Sequence, residues 1–301
     1  MSNKKNNSNR LYKENAGYII FQTSNYLLLF FLCMITVIPV YQVFSMSIRP
    51  EIDIIKYGQT ILPQRISFEA FKEIFAGDKI SRAFIQTLQI TIFGTGISLV
   101  CNILTAYPLS KVYLPYNRII SFLIYFTMLF SGGLIPYYLV VTNIGLKNTI
   151  WAIIWGGAIN PFNVIMFRNF FAQLPDSLLE SPKIDGASEI TILMKFVLPL
   201  STPVIATLLL MTGVGFWNEW FSALIFLNDA KKWPLQLVLR DILQAGLTKS
   251  FEQMTVSEEA LRPGESLKMA VVVVSTLPIM CVYPFLQKYF IRGLTMGAVK
   301  E

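Results

Sequence analysis

The chain has no histidine, and only 14% of its 301 residues carry charge. Without imidazole there is no Ser-His-Asp relay, no H-E-x-x-H metal site and little scope for imidazole acid–base chemistry. No G-x-x-x-x-G-K-[ST] phosphate loop occurs, so the chain is expected not to hydrolyse ATP itself. It has three cysteines, Cys33, Cys101 and Cys281, each inside an apolar run. That spacing excludes a clustered metal site and argues against a disulfide framework. A soluble domain would charge about a quarter of its residues.

Six uncharged windows account for the scarcity: 16–48, 83–110, 119–146, 148–167, 196–218 and 269–287. Each is long enough to cross about 30 Å of hydrocarbon, which takes about 20 helical residues. Backbone in lipid must satisfy its own hydrogen bonds, and the runs lack the alternation of barrel strands. The expected class is therefore an all-α integral membrane protein with six transmembrane helices, at about 22–46, 84–108, 118–142, 149–168, 200–227 and 268–290. Lys4, Lys5, Arg10 and Lys13 precede the first run. That run is too long for the core of a cleaved signal peptide, so it reads as a retained helix.

The net charge is +7, but no basic-aromatic stripe supports nucleic-acid binding. Scattered Lys and Arg between spans suit a membrane protein in contact with lipid. An even span count places both termini on one side. The Lys and Arg divide almost evenly between the two sides, but those assigned outside fall mostly in two long loops, where charge steers topology weakly. The basic N-tail therefore favours both termini in the cytoplasm. The resulting organisation is a cytoplasmic N-tail over 1–21, a six-helix domain over 22–290, a cytoplasmic loop over 169–199, an extracytoplasmic loop over 228–267 and a cytoplasmic C-tail over 291–301. In the first outer loop Phe68, Phe71, Ile74 and Phe75 have helical spacing and predict a short helix on the membrane or on the bundle. The second outer loop contains Pro234, Gly246, Pro263 and Gly264 and predicts a broken excursion.

The loop between spans four and five is the most informative stretch. Glu180, Lys183, Asp185 and Glu189 cannot sit in lipid and must face water or a soluble partner. The order of elements is a short helix, Gly186 where the backbone can turn, a second amphipathic segment and Pro199 opening the next span. A compact helix–Gly–helix projecting from a bundle is a suitable lever.

At this stretch the chain resembles the permease subunits of ABC importers. Their coupling-loop signature is Glu-Ala-Ala, three residues, Gly, nine residues, Ile, one residue, Leu-Pro. Glu180, Gly186, Leu198 and Pro199 match at that spacing, Ser181 and Pro182 replace the alanines, and Phe196 stands for Ile. Proline is comfortable only in the first helical turn, so Pro182 bears on the length of the coupling helix. Trp217-Asn218-Glu219-Trp220 followed by Pro234-Leu235-Gln236 resembles the fifth-span region of sugar permeases, and the ending from Tyr283 to Lys300 resembles that of the inner-membrane permease of maltose-type oligosaccharide importers. Asn148-Thr149-Ile150-Trp151, Asn160-Pro161-Phe162-Asn163 and Arg168-Asn169-Phe170-Phe171 are similar to a subgroup serving complex oligosaccharides.

The resemblance implies a MetI-like permease fold in the bacterial cell membrane. It also implies a second homologous permease, an ATPase dimer that holds ATP and Mg, an extracytoplasmic solute-binding protein and a carbohydrate cargo. No cofactor is expected on this chain. The ATPase-coupling residues carried over are Glu180, Ser181, Pro182, Lys183, Asp185, Gly186, Ala187, Leu198 and Pro199, and the C-tail, with Gly293, Thr295 and Gly297, is a second candidate contact with the ATPases. The loop over 228–267 either touches the binding protein or caps the bundle.

Glu219 is the only carboxylate within the fifth predicted span, beside Trp217, Asn218 and Trp220. Either this group lines a sugar path, with aromatic faces and polar tips, or Glu219 makes a structural hydrogen bond near the interface. Asn160, Pro161 and Asn163 interrupt the fourth span, as broken helices do near transporter sites; the alternative is a proline kink with asparagines bonded to neighbouring helices. Gly132-Gly133 with Pro136 marks a similar point in the third. Competing readings are the same architecture moving a non-sugar solute, a secondary carrier or channel, and a membrane enzyme. The last two lack the charge relays or convergent groups they would need.

Overall fold

The structure is a computed structural model that describes residues 16–58, 60–252 and 264–298, with side chains undescribed at 16, 176–177, 245–252, 283 and 285–298. The N-terminal cations Lys4, Lys5, Arg10 and Lys13, and also Pro263, lie outside the described residues. The described residues are helical, with no strand among them. Helix α1 (Ala16–Ser47) is the longest apolar run and lies along the last helix. None of its most apolar window is buried against the rest of the chain, as expected where lipid or another subunit is the solvent.

The stretch expected as the first outer loop forms α2 (Glu51–Tyr57) and α3 (Glu69–Ala76). The periodicity seen in the sequence produces α3, which buries Ala70 and Ile74 against the bundle and leaves Phe68 and Phe75 exposed. Helix α4 (Asp78–Leu109) is the second span and the spine of the fold, packed against α3, α7, α8, α12 and α14.

The later spans are interrupted. The third is α5 (Asn117–Leu129) and α6 (Leu134–Asn143), bent by 114° at the break. Gly133 sits there with φ +88°, which a side-chain-bearing residue adopts with difficulty. The fourth is α7 (Trp151–Gly156) and α8 (Pro161–Phe171). Next come α9 (Asp176–Ile184), α10 (Glu189–Ile192), a π-helical turn over Leu193–Val197 and α11 (Leu198–Leu200). The stretch expected as the fifth span forms α12 (Thr202–Trp217) and α13 (Phe221–Phe226). The stretch expected as the second outer loop contains a 3-10 turn (Ala230–Lys232) and α14 (Leu235–Glu252), and α15 (Glu265–Ala298) is the last described helix. Among the described residues three helices can each cross a membrane alone by length and composition, and counting two sharply bent pairs, α5 with α6 and the stretch Glu189–Leu200 with α12, raises this to five.

One expectation needs correction: Gly246 does not break the loop, because one 18-residue helix runs through it. Helix α15 runs through the expected sixth span and on to Ala298.

The inner core gathers Ile103, Ala106, Tyr107, Phe167, Phe171, Ile192, Val197 and Leu208, from α4, α8, α10, the π turn and α12. An outer core gathers α3, the start of α4, Trp217, Leu235, Val238, Ala270 and Val271. A side chain of α2 caps the last helix. The Glu51 carboxylate accepts the amides of Glu265 and Ser266, each at 2.9 Å, satisfying free donors at the N-terminus of α15. Between the two cores α4 and α12 approach closely at Phe216. A Cβ on Gly94 or Gly157 would stand 2.8 Å from its ring.

Candidate functional site

The loop between α8 and α12 is assembled from its turn outward. Helix α9 ends in a Schellman motif. The Gly186 amide donates to Lys183 O at 3.1 Å, and the Ala187 amide donates to Pro182 O at 2.9 Å. This closure requires the left-handed residue that Gly186 supplies at φ +80°. Pro182 lies in the last turn of α9, and the helix continues past it to Ile184. Ser188 then caps α10, its Oγ accepting the Thr191 amide at 3.2 Å. Ahead of Pro199 the chain adopts the π turn. Proline has no N–H to continue the ladder, and the Leu198 amide reaches back five residues to Leu193 O.

Leu179 is buried and roots α9 in the inner core. The outward side of the loop combines charge with apolar knobs: Glu180, Ser181, Lys183, Asp185 and Gly186 are exposed. Beside them stand Ile184 and Ile190, 85% and 74% exposed. Pro182 and Ala187 are half-buried. Leu198 packs against the inner core, and Pro199 is exposed.

Glu189 joins this loop to the bundle. Its Oε1 accepts Lys183 Nζ at 2.8 Å and Tyr113 Oη at 2.9 Å, and its Oε2 accepts Tyr107 Oη at 2.7 Å. The Lys183 ammonium also lies 4.8 Å from the Tyr113 ring centroid. One carboxylate thus links both arms of the helix–Gly–helix to the end of α4 and to the loop that follows it. The Lys183 and Tyr107 hydrogen bonds hold the Glu189 carboxyl down at about 2, against the opposing effect of burial. Glu189 in turn holds the Lys183 ammonium above its usual range. Burial first, and then Glu189, pushes the Tyr113 phenol up. A cleft of about 430 Å³ opens beside the cluster, lined by Lys111, Tyr113, Leu179, Glu180, Lys183 and Glu189 among others. The sequence gives no sign that Tyr107, Tyr113 and Glu189 meet, because they come from three segments.

The residues expected along a solute path divide into two groups. Asn160 caps α8, its Oδ1 accepting the amides of Phe162 at 2.9 Å and Asn163 at 3.4 Å, with Pro161 in the first turn. Its own amide donates to Asn102 Oδ1 at 2.9 Å. Asn163 is buried and donates to Thr212 Oγ1 at 2.9 Å, tying α8 to α12. Trp217 is also buried. Its indole N–H donates to Ser275 O at 3.0 Å, and its ring meets Phe84 edge-on. These residues hold helices together, and Asn102, fully buried on α4, was not singled out from the sequence.

Asn218, Glu219 and Trp220 occupy the break between α12 and α13 and stay exposed or half-exposed. The Glu219 carboxylate accepts the Ser222 amide at 2.8 Å. Gln236 Nε2 donates to Asn218 Oδ1 at 3.3 Å, and the Arg240 guanidinium carbon lies 3.6 Å from the Trp220 ring centroid. Gly293, Thr295 and Gly297 fall in the last turns of α15, beyond the described side chains. Among the described residues no group of three His, Cys, Asp or Glu could hold a metal ion.

Comparison with known proteins returns one pattern. Residues 74–296 match the family described as binding-protein-dependent transport system inner membrane component. Protein LplC of Bacillus subtilis (strain 168) is 42% identical over 291 residues, covering 96% of this chain and 98% of that protein. The polygalacturonan/rhamnogalacturonan transport system permease protein YtcP of the same organism is 40% identical over 275 residues, covering 91% of this chain and 96% of its own length. A chain in the crystal structure of a bacterial ABC transporter involved in the import of the acidic polysaccharide alginate superposes with TM-score 0.83 at 32% identity, covering 93% of this chain and 99% of that one.

Proposed function

The chain belongs to the binding-protein-dependent transport system inner membrane component family, and from that premise we propose that it is a permease subunit of an ABC importer that carries an oligosaccharide into the cell. The observation that carries the proposal is the loop from α9 to α10, closed by Gly186 and pinned to α4 through Glu189. A loop that only connected two spans would not need its outward face free and its inward face locked. This one projects Ile184, Ile190, Glu180 and Asp185, while Leu179 and Glu189 fix it to the bundle. The arrangement can transmit a displacement as a rigid unit.

In this reading a separate ATPase subunit docks on that face, a second permease completes the pore, and a solute-binding protein delivers cargo from outside. Both termini lie in the cytoplasm, on the same side as the loop. ATP and Mg belong to the ATPase subunits. ATP binding moves the docked loop, and the Glu189 cluster passes the movement to α4 and the loop over 110–116. The oligosaccharide cargo is supported by the name of the YtcP protein and by the alginate transporter.

The test is sugar uptake and ATP hydrolysis by the whole importer in liposomes, for the native chain and for Gly186→Val. Uptake lost while hydrolysis continues supports the assignment of the loop. Normal uptake by the variant removes that assignment, and solute movement without ATP removes the importer reading altogether.

A further inference from the structure

We propose that Arg240, seated on Trp220, recognises a carboxylate on the cargo, so that the oligosaccharide carried is an acidic one built from uronate units. The inference rests on the oligosaccharide reading above and adds its chemical class.

Arg240 lies on α14, half-buried, with its guanidinium carbon 3.6 Å from the Trp220 ring centroid. At that distance the aromatic face holds the cation in place and leaves N–H edges for an acceptor. Among the described residues Arg240 has no hydrogen-bond or ion-pair partner. The carboxylates adjacent in sequence to Arg240 and to Trp220 each accept from another group. Asp241, the next residue, pairs with Lys79 at 3.0 Å, and Glu219, adjacent to Trp220, accepts the Ser222 amide at 2.8 Å. A half-buried arginine held only by an aromatic ring is an incomplete pair, and the group that completes it is a planar two-oxygen anion, which the guanidinium fork binds through two parallel hydrogen bonds.

The surroundings suit a sugar acid better than a bare anion. Gln236 and Asn218 bond to each other at 3.3 Å through the Gln nitrogen and the Asn oxygen. The Asn218 amide nitrogen and the Gln236 carbonyl oxygen are left without a partner among the described residues, as a donor and an acceptor for hydroxyl groups. Phe221 meets Trp220 edge-on at 5.5 Å and is itself exposed, so its ring is open to a sugar face beside the Arg240–Trp220 stack. Guanidinium, amides and aromatic edges meet where the fifth span is broken, beside the second outer loop, and broken spans in transporters frame solute sites.

The test uses the complete importer in ATP-loaded liposomes, with labelled α-1,4-trigalacturonate and its fully methyl-esterified counterpart as probes, and one binding protein throughout. The ester keeps the rings and hydroxyls and removes the negative charge. The native importer is expected to favour the acid. Arg240→Gln is expected to lower the acid-to-ester flux ratio about tenfold, and Arg240→Lys to lower it less because a point charge survives without the fork. An unchanged ratio in Arg240→Gln, or equal losses of both fluxes, overturns the inference. Movement of neutral saccharides alone by the native importer overturns it while leaving the oligosaccharide reading intact. Movement of no saccharide overturns both.

Discussion

Lys183 and Glu189 meet across Gly186, Nζ to Oε1 at 2.8 Å, and so bridge the two arms of the loop between α8 and α12. An exposed ion pair alone contributes little to stability. Here the same carboxylate also accepts Tyr107 and Tyr113 from the second span and its following loop, so the pair fixes orientation more than it supplies energy. Glu189→Ala removes three contacts at once. We expect sugar moved per ATP hydrolysed to fall at least about tenfold while the subunits still assemble. Glu189→Gln retains two acceptor sites and loses the charge, and is expected to fall between. A Glu189→Ala importer with native stoichiometry would sink the linkage.

The same cluster makes a statement about pH. The Glu189 carboxyl is lowered to about 2, so its contribution is complete above the ordinary carboxylate range and is lost as pH falls toward about 2. The Lys183 ammonium is raised, so its contribution is complete below the ordinary lysine range and is lost only as pH rises past its elevated value. Neither group titrates between about pH 5 and pH 9. Sugar moved per ATP, measured by paired uptake and phosphate-release assays, should therefore be flat across that window. A midpoint inside it would assign the coupling to some other group.

Gly186 provides a graded test of the turn. Its φ of +80° disfavours residues with a Cβ, least for asparagine and most for β-branched side chains. Nothing crowds its Cβ position, so any effect is conformational and not steric contact. Coupling should fall in the order Asn, Ala, Val, with the alanine variant costing roughly 1 kcal/mol in the closed turn. Equal coupling by the asparagine and valine variants would mean that the Schellman closure is dispensable.

The sequence and the structure agree where a feature is local and diverge where it is made by distant segments. The turn at Gly186 and the break near Gly132-Gly133 are visible as residues with special backbone freedom. Helix α3 is visible as apolar spacing. The Glu189 cluster draws on residues 107, 113, 183 and 189, and no periodicity joins these. Trp217 and Asn163 look alike from the sequence to Trp220 and Asn218, being aromatic or amide groups in apolar runs. Only packing shows that the first two spend their side-chain N–H groups on Ser275 and Thr212. Gly246 reads as a breaker because glycine weakens helices, yet α14 runs through it, with Leu235 and Val238 fully buried in its first turn.

The last prediction concerns the contact that sets the distance between α4 and α12. The Phe216 ring occupies the space a Cβ would need at Gly94 and at Gly157, on two different elements. Helices approach this closely only when one side offers no side chain. Gly94→Val should destabilise the chain by about 1–3 kcal/mol through overpacking, and Phe216→Ala by about 3–5 kcal/mol through the cavity it leaves. If the two residues act through one contact, Gly94→Val combined with Phe216→Ala should cost less than the sum, because the new side chain enters the vacated space. Thermal unfolding of the purified chain in detergent, read for both single variants and the double, measures that coupling. Simple additivity would mean that α4 and α12 are spaced by other contacts, such as that of Thr95 with Gly213.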